Sequence, residues 1–362
     1  MRRDFRGRLE AGGRRAWLAR LVAIASLPFI LVSAVVSAIG STMPALDAYT
    51  YLAAGERLNA DHALYALATG DRVIATYRGN PLFSPPLIAV LWRPLAALPD
   101  GSGRWLWTAA QIVVILACLM WLLRSQRLGV SVAVFLLAMP IGFEMAVGNM
   151  NGFLAAGAIL VWVYRREWWV GAIIGVMASL KVFPVILVCW LVGQRQWRAV
   201  AAFVAAVGIC AVAVVLGAGP SSLTDYASLV GQIPPSGRSL AALTGISWAP
   251  YVLYGAAALL ALASRNRAGL GFSAAVIGMT IGVPTFNLNW MVVVLAALAP
   301  VATAAYAKPR ENGGDGAISA LSKHSTGTTR RRVSSEILPP PSVSAAHSRP
   351  QRVAHALGAP PR

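Results

Sequence analysis

Apolar stretches, many of them close to the length of a bilayer crossing, recur along the first 305 residues of this 362-residue chain. Most charges sit in the gaps between them. A helix needs about 20 predominantly apolar residues to cross the hydrocarbon layer. The pattern therefore predicts an all-α fold, a polytopic membrane protein. Charged residues are only 12% of the chain, against about 25% in an average soluble domain.

The expected spans are residues 17–40, 105–123, 130–147, 153–164, 170–180, 182–192, 199–216, 247–263, 270–283 and 291–305. That is about ten transmembrane helices, several shorter than a perpendicular crossing requires. Segment 84–99, "SPPLIAVLWRPLAALP", is too short to cross and carries Arg93 and Pro94 near its middle. It is expected to be re-entrant or interfacial and to line a cavity.

The net charge of +18 is concentrated in residues 2–20 and in the tail after Tyr306. Basic flanks are retained on the cytoplasmic side, which places both termini there in a multi-pass protein of the cell membrane. The sequence has no nucleic-acid motif, so no nucleic acid partner is expected; membrane lipids are. Residues 1–40 share a basic start, an apolar centre and a small-residue "VSA" with signal peptides. The length of the apolar run favours an uncleaved first span.

Three regions follow. Residues 1–16 are a basic cytoplasmic N-terminus. Residues 17–306 form the transmembrane domain, with outer loops 41–83 and 219–245. Residues 307–362, rich in Ser, Thr, Pro, Gly and Arg, are expected to be a disordered basic cytoplasmic tail.

Cys118, Cys189 and Cys210 lie in apolar runs without metal or disulfide spacing. The four histidines are scattered. No metal site and no cofactor is expected, and no phosphate-binding glycine loop or nucleophile elbow is present.

The candidate chemistry gathers on the outer side. Asp47 is the first charge after the first span, where a low-dielectric wall can tune a carboxylate for general-base work; a solvated loop acid is the plainer reading. The stretch "ALDAYTYLAAGERL" predicts an interfacial helix with Leu46, Tyr49, Leu52, Ala53 and Glu56 on one face. Asp47 and Tyr51, four residues apart, share another. Lys181 stands between apolar runs, where an ionisable group marks function unless it snorkels to the interface. Asn149 and Asn151 in "GNMNG" suit either a turn or sugar recognition. Glu144, near a span end, reads as a helix-end acid, with a second buried acid as the alternative.

Together these stretches resemble glycosyltransferase family 87, the polyprenyl-phosphate-mannose-dependent mannosyltransferases of the GT-C superfamily. "DAYTY", "GERLNADHALY", "FSPPLIAVLWRPLAALP", "GNMNG" and "GAIIGVMASLKVFPVILVCWLVGQRQWRA" follow the family's motifs in order. Asn149 stands where the family commonly has Gln, and Ser84 where it commonly has Tyr. "SGRSLAAL" lacks the amides of the corresponding family element, and "VPTFNLNW" lacks a histidine many relatives carry.

The resemblance implies a GT-C-type catalytic domain that moves a sugar, mannose by family habit, from a polyprenyl-phosphate sugar donor to a glycolipid or glycan acceptor, with inversion. It implies Asp47 as the catalytic base. Lys181, with Arg93 and Arg238, would bind the donor phosphate. Tyr51, Glu56, Asn149, Asn151, Asn287 and Asn289 would contact sugar or acceptor. A transporter or lipid flippase, or an inactive family member serving as a scaffold, are the competing readings.

Overall fold

The computed structural model describes residues 2–40, 45–65, 82–230 and 238–304, with side chains from residue 13 onward. The tail at 307–362 and part of the first outer loop lie outside the described residues. The described chain is helical, with no strand among the described residues.

In chain order, α1 is Arg2–Gly40, α2 Leu46–Asn59, α3 Leu87–Ala96, α4 Ser102–Leu123, α5 Leu128–Leu136, α6 Ala138–Val147, α7 Asn151–Val163 and α8 Val170–Leu180. A 3₁₀ turn, Phe183–Val185, leads into α9, Ile186–Gly193. Then come α10 Trp197–Ala218, α11 Ser221–Val230, α12 Leu240–Thr244, α13 Ala249–Ala263 and α14 Ala268–Ile281. The last helical segment described is a 3₁₀ stretch, Leu288–Leu298, continued by α15, Ala299–Thr303.

Among the described residues, three helical stretches are long and apolar enough to cross a membrane: Gly13–Gly40, Pro99–Leu123 and Trp197–Ala218. Their outward faces are apolar. Ile39 on α1 is 80% exposed and Leu216 on α10 is 81% exposed. Burial cannot explain such faces in water, and hydrocarbon can. The remaining apolar helices, such as α7, α8, α13 and α14, are shorter than a perpendicular crossing.

The expected span 130–147 is not one straight helix. It breaks at Leu137 into α5 and α6, which meet at 52°. Pro140 is the physical cause: it lacks the N–H that would bond the carbonyl of residue 136, and its ring crowds that turn.

Small residues let the helices approach closely. A Cβ on Gly171 of α8 would collide with the Ala199 carbonyl of α10, so only glycine fits this crossing. Segment 84–99 forms the ten-residue α3, which buries Leu87, Ile88, Ala89 and Trp92. At 1.5 Å per residue it reaches about 15 Å, half a bilayer core.

The two ends of the bundle are identified by contacts. Arg20 of α1 donates to Gln126, between α4 and α5, at 3.0 Å. At the opposite end the Ala45 N–H bonds Ala146 O at 2.9 Å, joining the start of α2 to the end of α6. The candidate site lies at this second end.

Candidate active site

The apolar face expected for α2 is rotated. The buried residues are Ala48, Thr50, Tyr51, Leu52, Ala54, Gly55 and Leu58, while Glu56 is exposed and Leu46, Tyr49 and Ala53 are half-buried. An interfacial helix would set that face against lipid. In the fold, α2 instead packs on α3, with Tyr51 against Trp92 and Trp107 at ring separations of 5.8 and 6.2 Å. That rotation turns Asp47 and Tyr51 together towards a cavity.

The turn after α6 brings the amides to the same place. Gly148 takes φ 69°, a left-handed conformation that glycine adopts without cost. A Cβ there would lie 2.9 Å from Ala48 Cβ and 2.9 Å from Thr108 Oγ1, so the turn sits tight against α2 and α4. Trp107 Nε1 donates to Gly148 O at 3.0 Å and clamps it. Asn149 therefore emerges directly over Asp47.

Asn149 is the hub. Its Oδ1 accepts from Lys181 Nζ at 3.1 Å, from Tyr51 O–H at 3.1 Å and from the Met150 N–H at 2.7 Å. With the oxygen so used, Nδ2 must face the other way, and it donates to Asp47 Oδ2 at 2.7 Å. Tyr51 is held protonated. Burial, then the nearby Asp47 and Glu144 carboxylates, push its phenol well above the usual tyrosine range.

Lys181 follows α8, where the backbone turns extended before the Phe183–Val185 turn. It is 7% exposed. Its ammonium also donates to Asn151 Oδ1 at 2.7 Å and lies 4.2 Å from the Trp290 ring centroid. Such a buried ammonium keeps its charge only if donors are satisfied and carboxylates are near. The nearby carboxylates are Asp47 and Glu144, each reached through an asparagine.

A cavity of about 290 Å³ opens beside this chain of groups. Asp47, Tyr51, Asn149, Lys181, Asn287 and Trp290 line it, with apolar walls from Phe83, Val182 and Phe183. A carboxylate and an ammonium thus face one space, one amide apart. Such a pair can accept a proton at one side and stabilise a departing anion at the other.

The structure does not bring every expected residue here. Asn151 and Asn289 are buried behind the cavity rather than in its wall. Arg93 points elsewhere: Nε donates to Asn59 at 3.0 Å and Nη1 to Gly217 O at 3.1 Å, tying α3 to α10. Glu56 lies with Arg93 and Asn59 at a separate, open depression of about 710 Å³. Arg238 is exposed and is absent from the cavity wall. The open depression holds neither Asp47 nor Lys181, so the smaller enclosed cavity is the better site.

Sequence reasoning favours a helix-end acid at Glu144 over a buried one and does not single out Gln111. Glu144 is fully buried and accepts from Gln111 Nε2 at 2.6 Å and from Asn151 Nδ2 at 2.9 Å. The signal that could have found it is an acid inside an apolar run, which bilayers tolerate only with partners.

Known proteins match this chain over part of its length. The description "Glycosyltransferase family 87" matches residues 83–321. A polyprenol-phosphate-mannose-dependent alpha-(1-2)-phosphatidylinositol pentamannoside mannosyltransferase of Mycolicibacterium smegmatis is 30% identical over 183 residues, 45% of this chain and 42% of that protein. A protein of the same description from Mycobacterium tuberculosis is 30% identical over 182 residues, 45% of this chain and 41% of its own length. The matched region is thus less than half the length of these relatives. No solved structure matches the chain significantly. The family match takes in Glu144, the Asn149 turn, Lys181 and Trp290, and this chain belongs to glycosyltransferase family 87.

Proposed function

We propose that the chain is an integral-membrane mannosyltransferase that takes its sugar from a polyprenyl-phosphate donor and delivers it to a glycolipid acceptor. The observation that carries this reading is the Asp47 carboxylate and Lys181 ammonium facing one cavity on either side of Asn149. The donor dependence and lipid acceptor in the names of the two mycobacterial relatives support it.

The reaction is a single displacement. An acceptor hydroxyl oxygen attacks the anomeric carbon, and its proton passes to the Asp47 carboxylate. The bond from that carbon to the phosphate oxygen breaks, and its electron pair leaves on the phosphate. Lys181 stabilises the charge that grows there. Attack opposite the leaving phosphate inverts the anomeric centre. A fixed ammonium is worth most in a site with little water, where Coulomb attraction is less screened. Asn149 holds base and cation in register, so little reorganisation is needed at the moment of reaction.

In this reading the cavity opens on the outer face of the cell membrane, in a GT-C-type architecture of about ten spans with both termini cytoplasmic. The short helices support it, since they leave room for a prenyl chain to lie in lipid while its phosphate reaches Lys181.

The test is transfer from labelled polyprenyl-phosphate mannose to a mixed glycolipid pool, using membranes from cells with and without the protein. The expected result is label in lipid product that depends on the protein and inverts the anomeric centre. Transfer only from a nucleotide-activated sugar, or none from either donor with the protein present in the membrane, overturns the proposal.

A further inference from the structure

Beneath the cavity, and not lining it, lies the buried carboxylate of Glu144. Its Oε1 accepts from Gln111 Nε2 at 2.6 Å and from the Asn151 N–H at 2.9 Å. Its Oε2 accepts from Asn151 Nδ2 at 2.9 Å. The last bond decides how the Asn151 amide faces. With Nδ2 committed to a carboxylate, Oδ1 must turn the other way, and there it accepts from Lys181 Nζ at 2.7 Å.

We propose that Glu144 is a positioning residue which, through the Asn151 amide, aims the Lys181 ammonium at the phosphate of the lipid donor. The inference rests on the proposed phosphate-binding role of Lys181. It adds a residue with no contact to the cavity, and it explains why an acid is kept inside an apolar bundle where an unpartnered charge is costly.

A simpler role would be to cap the first turn of α7, since Glu144 accepts the Asn151 N–H. Hydrogen-bond direction separates the two. In Glu144→Gln, the new side chain keeps an oxygen for the Asn151 N–H and for Gln111, so the cap survives. Its amide nitrogen now faces Asn151 Nδ2, donor against donor. The Asn151 amide must then turn over, which presents Nδ2 to the Lys181 ammonium and expels it. A second change, Asn151→Asp, repairs this. The new carboxylate accepts from Gln at 144 with one oxygen and from Lys181 with the other. Net charge and every hydrogen bond of the chain are restored.

The experiment measures binding of polyprenyl phosphate to the full-length protein in detergent by native mass spectrometry, and donor KM, acceptor KM and kcat in the transfer assay. Proteins compared are the wild type, Glu144→Gln, and Glu144→Gln with Asn151→Asp. The expected result is a loss of about tenfold or more in lipid-phosphate affinity and a matching rise in donor KM for the single variant, with acceptor KM unchanged. The double variant recovers most of both. Wild-type affinity in the single variant, or a double variant that binds no better than the single or fails to fold, overturns the inference. A wild type that binds polyprenyl phosphate but transfers no sugar sinks the proposed function, and the three affinities still decide the role of Glu144.

Discussion

The Asn149 amide donates to the Asp47 carboxylate at 2.7 Å while its oxygen accepts the Lys181 ammonium at 3.1 Å. Base and cation are therefore held by opposite ends of one rigid planar group. Replacing Asn149 with Asp turns the donor into a second acceptor facing Asp47. Transfer should fall about tenfold or more, because one hydrogen bond to a charged group is lost and like charge is added. Asn149→Gln, the residue common in the family, should keep more activity than Asn149→Asp. Steady-state rates at equal protein level check both, and equal rates for the two variants would contradict the account.

Tyr51 donates to the Asn149 oxygen at 3.1 Å while its ring packs on Trp92 and Trp107. Tyr51→Phe keeps the packing and removes one neutral hydrogen bond, worth about 1 kcal/mol. A fall in kcat of about fivefold with normal expression is expected. The pH dependence has a definite sign. Burial and the neighbouring carboxylates disfavour phenolate, so Tyr51 stays protonated through the usual tyrosine range. Any alkaline loss of activity below that raised value arises elsewhere, and Tyr51→Phe should leave the alkaline limb of the pH profile in place.

Lys181 lies 4.2 Å from the Trp290 ring centroid. A desolvated cation–π contact contributes about 2 kcal/mol. Trp290→Leu should raise donor KM by about thirtyfold, and Trp290→Phe should raise it less. Donor titrations at saturating acceptor measure this. A larger effect on acceptor KM than on donor KM would place the indole with the acceptor instead.

Gly148 holds φ 69° with no room for a Cβ against Ala48 and Thr108. Gly148→Ala adds backbone strain and a clash together, about 1–3 kcal/mol. The thermal midpoint in detergent should drop, and transfer with it, since Asn149 and Asp47 lose their register. An unchanged midpoint would mean that the turn relaxes freely.

Much of the architecture was legible because hydropathy is additive along a chain. The helix at 170–180 and the end of the 105–123 span follow directly from apolar runs bounded by charged residues. Lys181 and Asn149 were legible as polar groups where apolar ones are the rule. The facing of α2 was not, because its neighbours are set by α3 and not by its own pattern. Arg93 was misplaced for the same reason: its partner, the Gly217 carbonyl, is 124 residues away. Glu144 reads first as a helix-end acid because a single acid near a helix end looks alike whether it meets water or, as here, Gln111 and Asn151.

The central claim is that Asp47 is the general base for sugar transfer. The most direct measurement is kcat for the wild type and Asp47→Asn with polyprenyl-phosphate mannose and a lipid acceptor, at matched protein levels. The substitution keeps size and removes the basic oxygen, and a positioned base contributes about 10²–10⁴ in rate. The account predicts a fall of that order with donor affinity little changed, since Lys181 is untouched. Equal kcat in the two proteins would contradict it and would make Asp47 a structural partner of Asn149 alone.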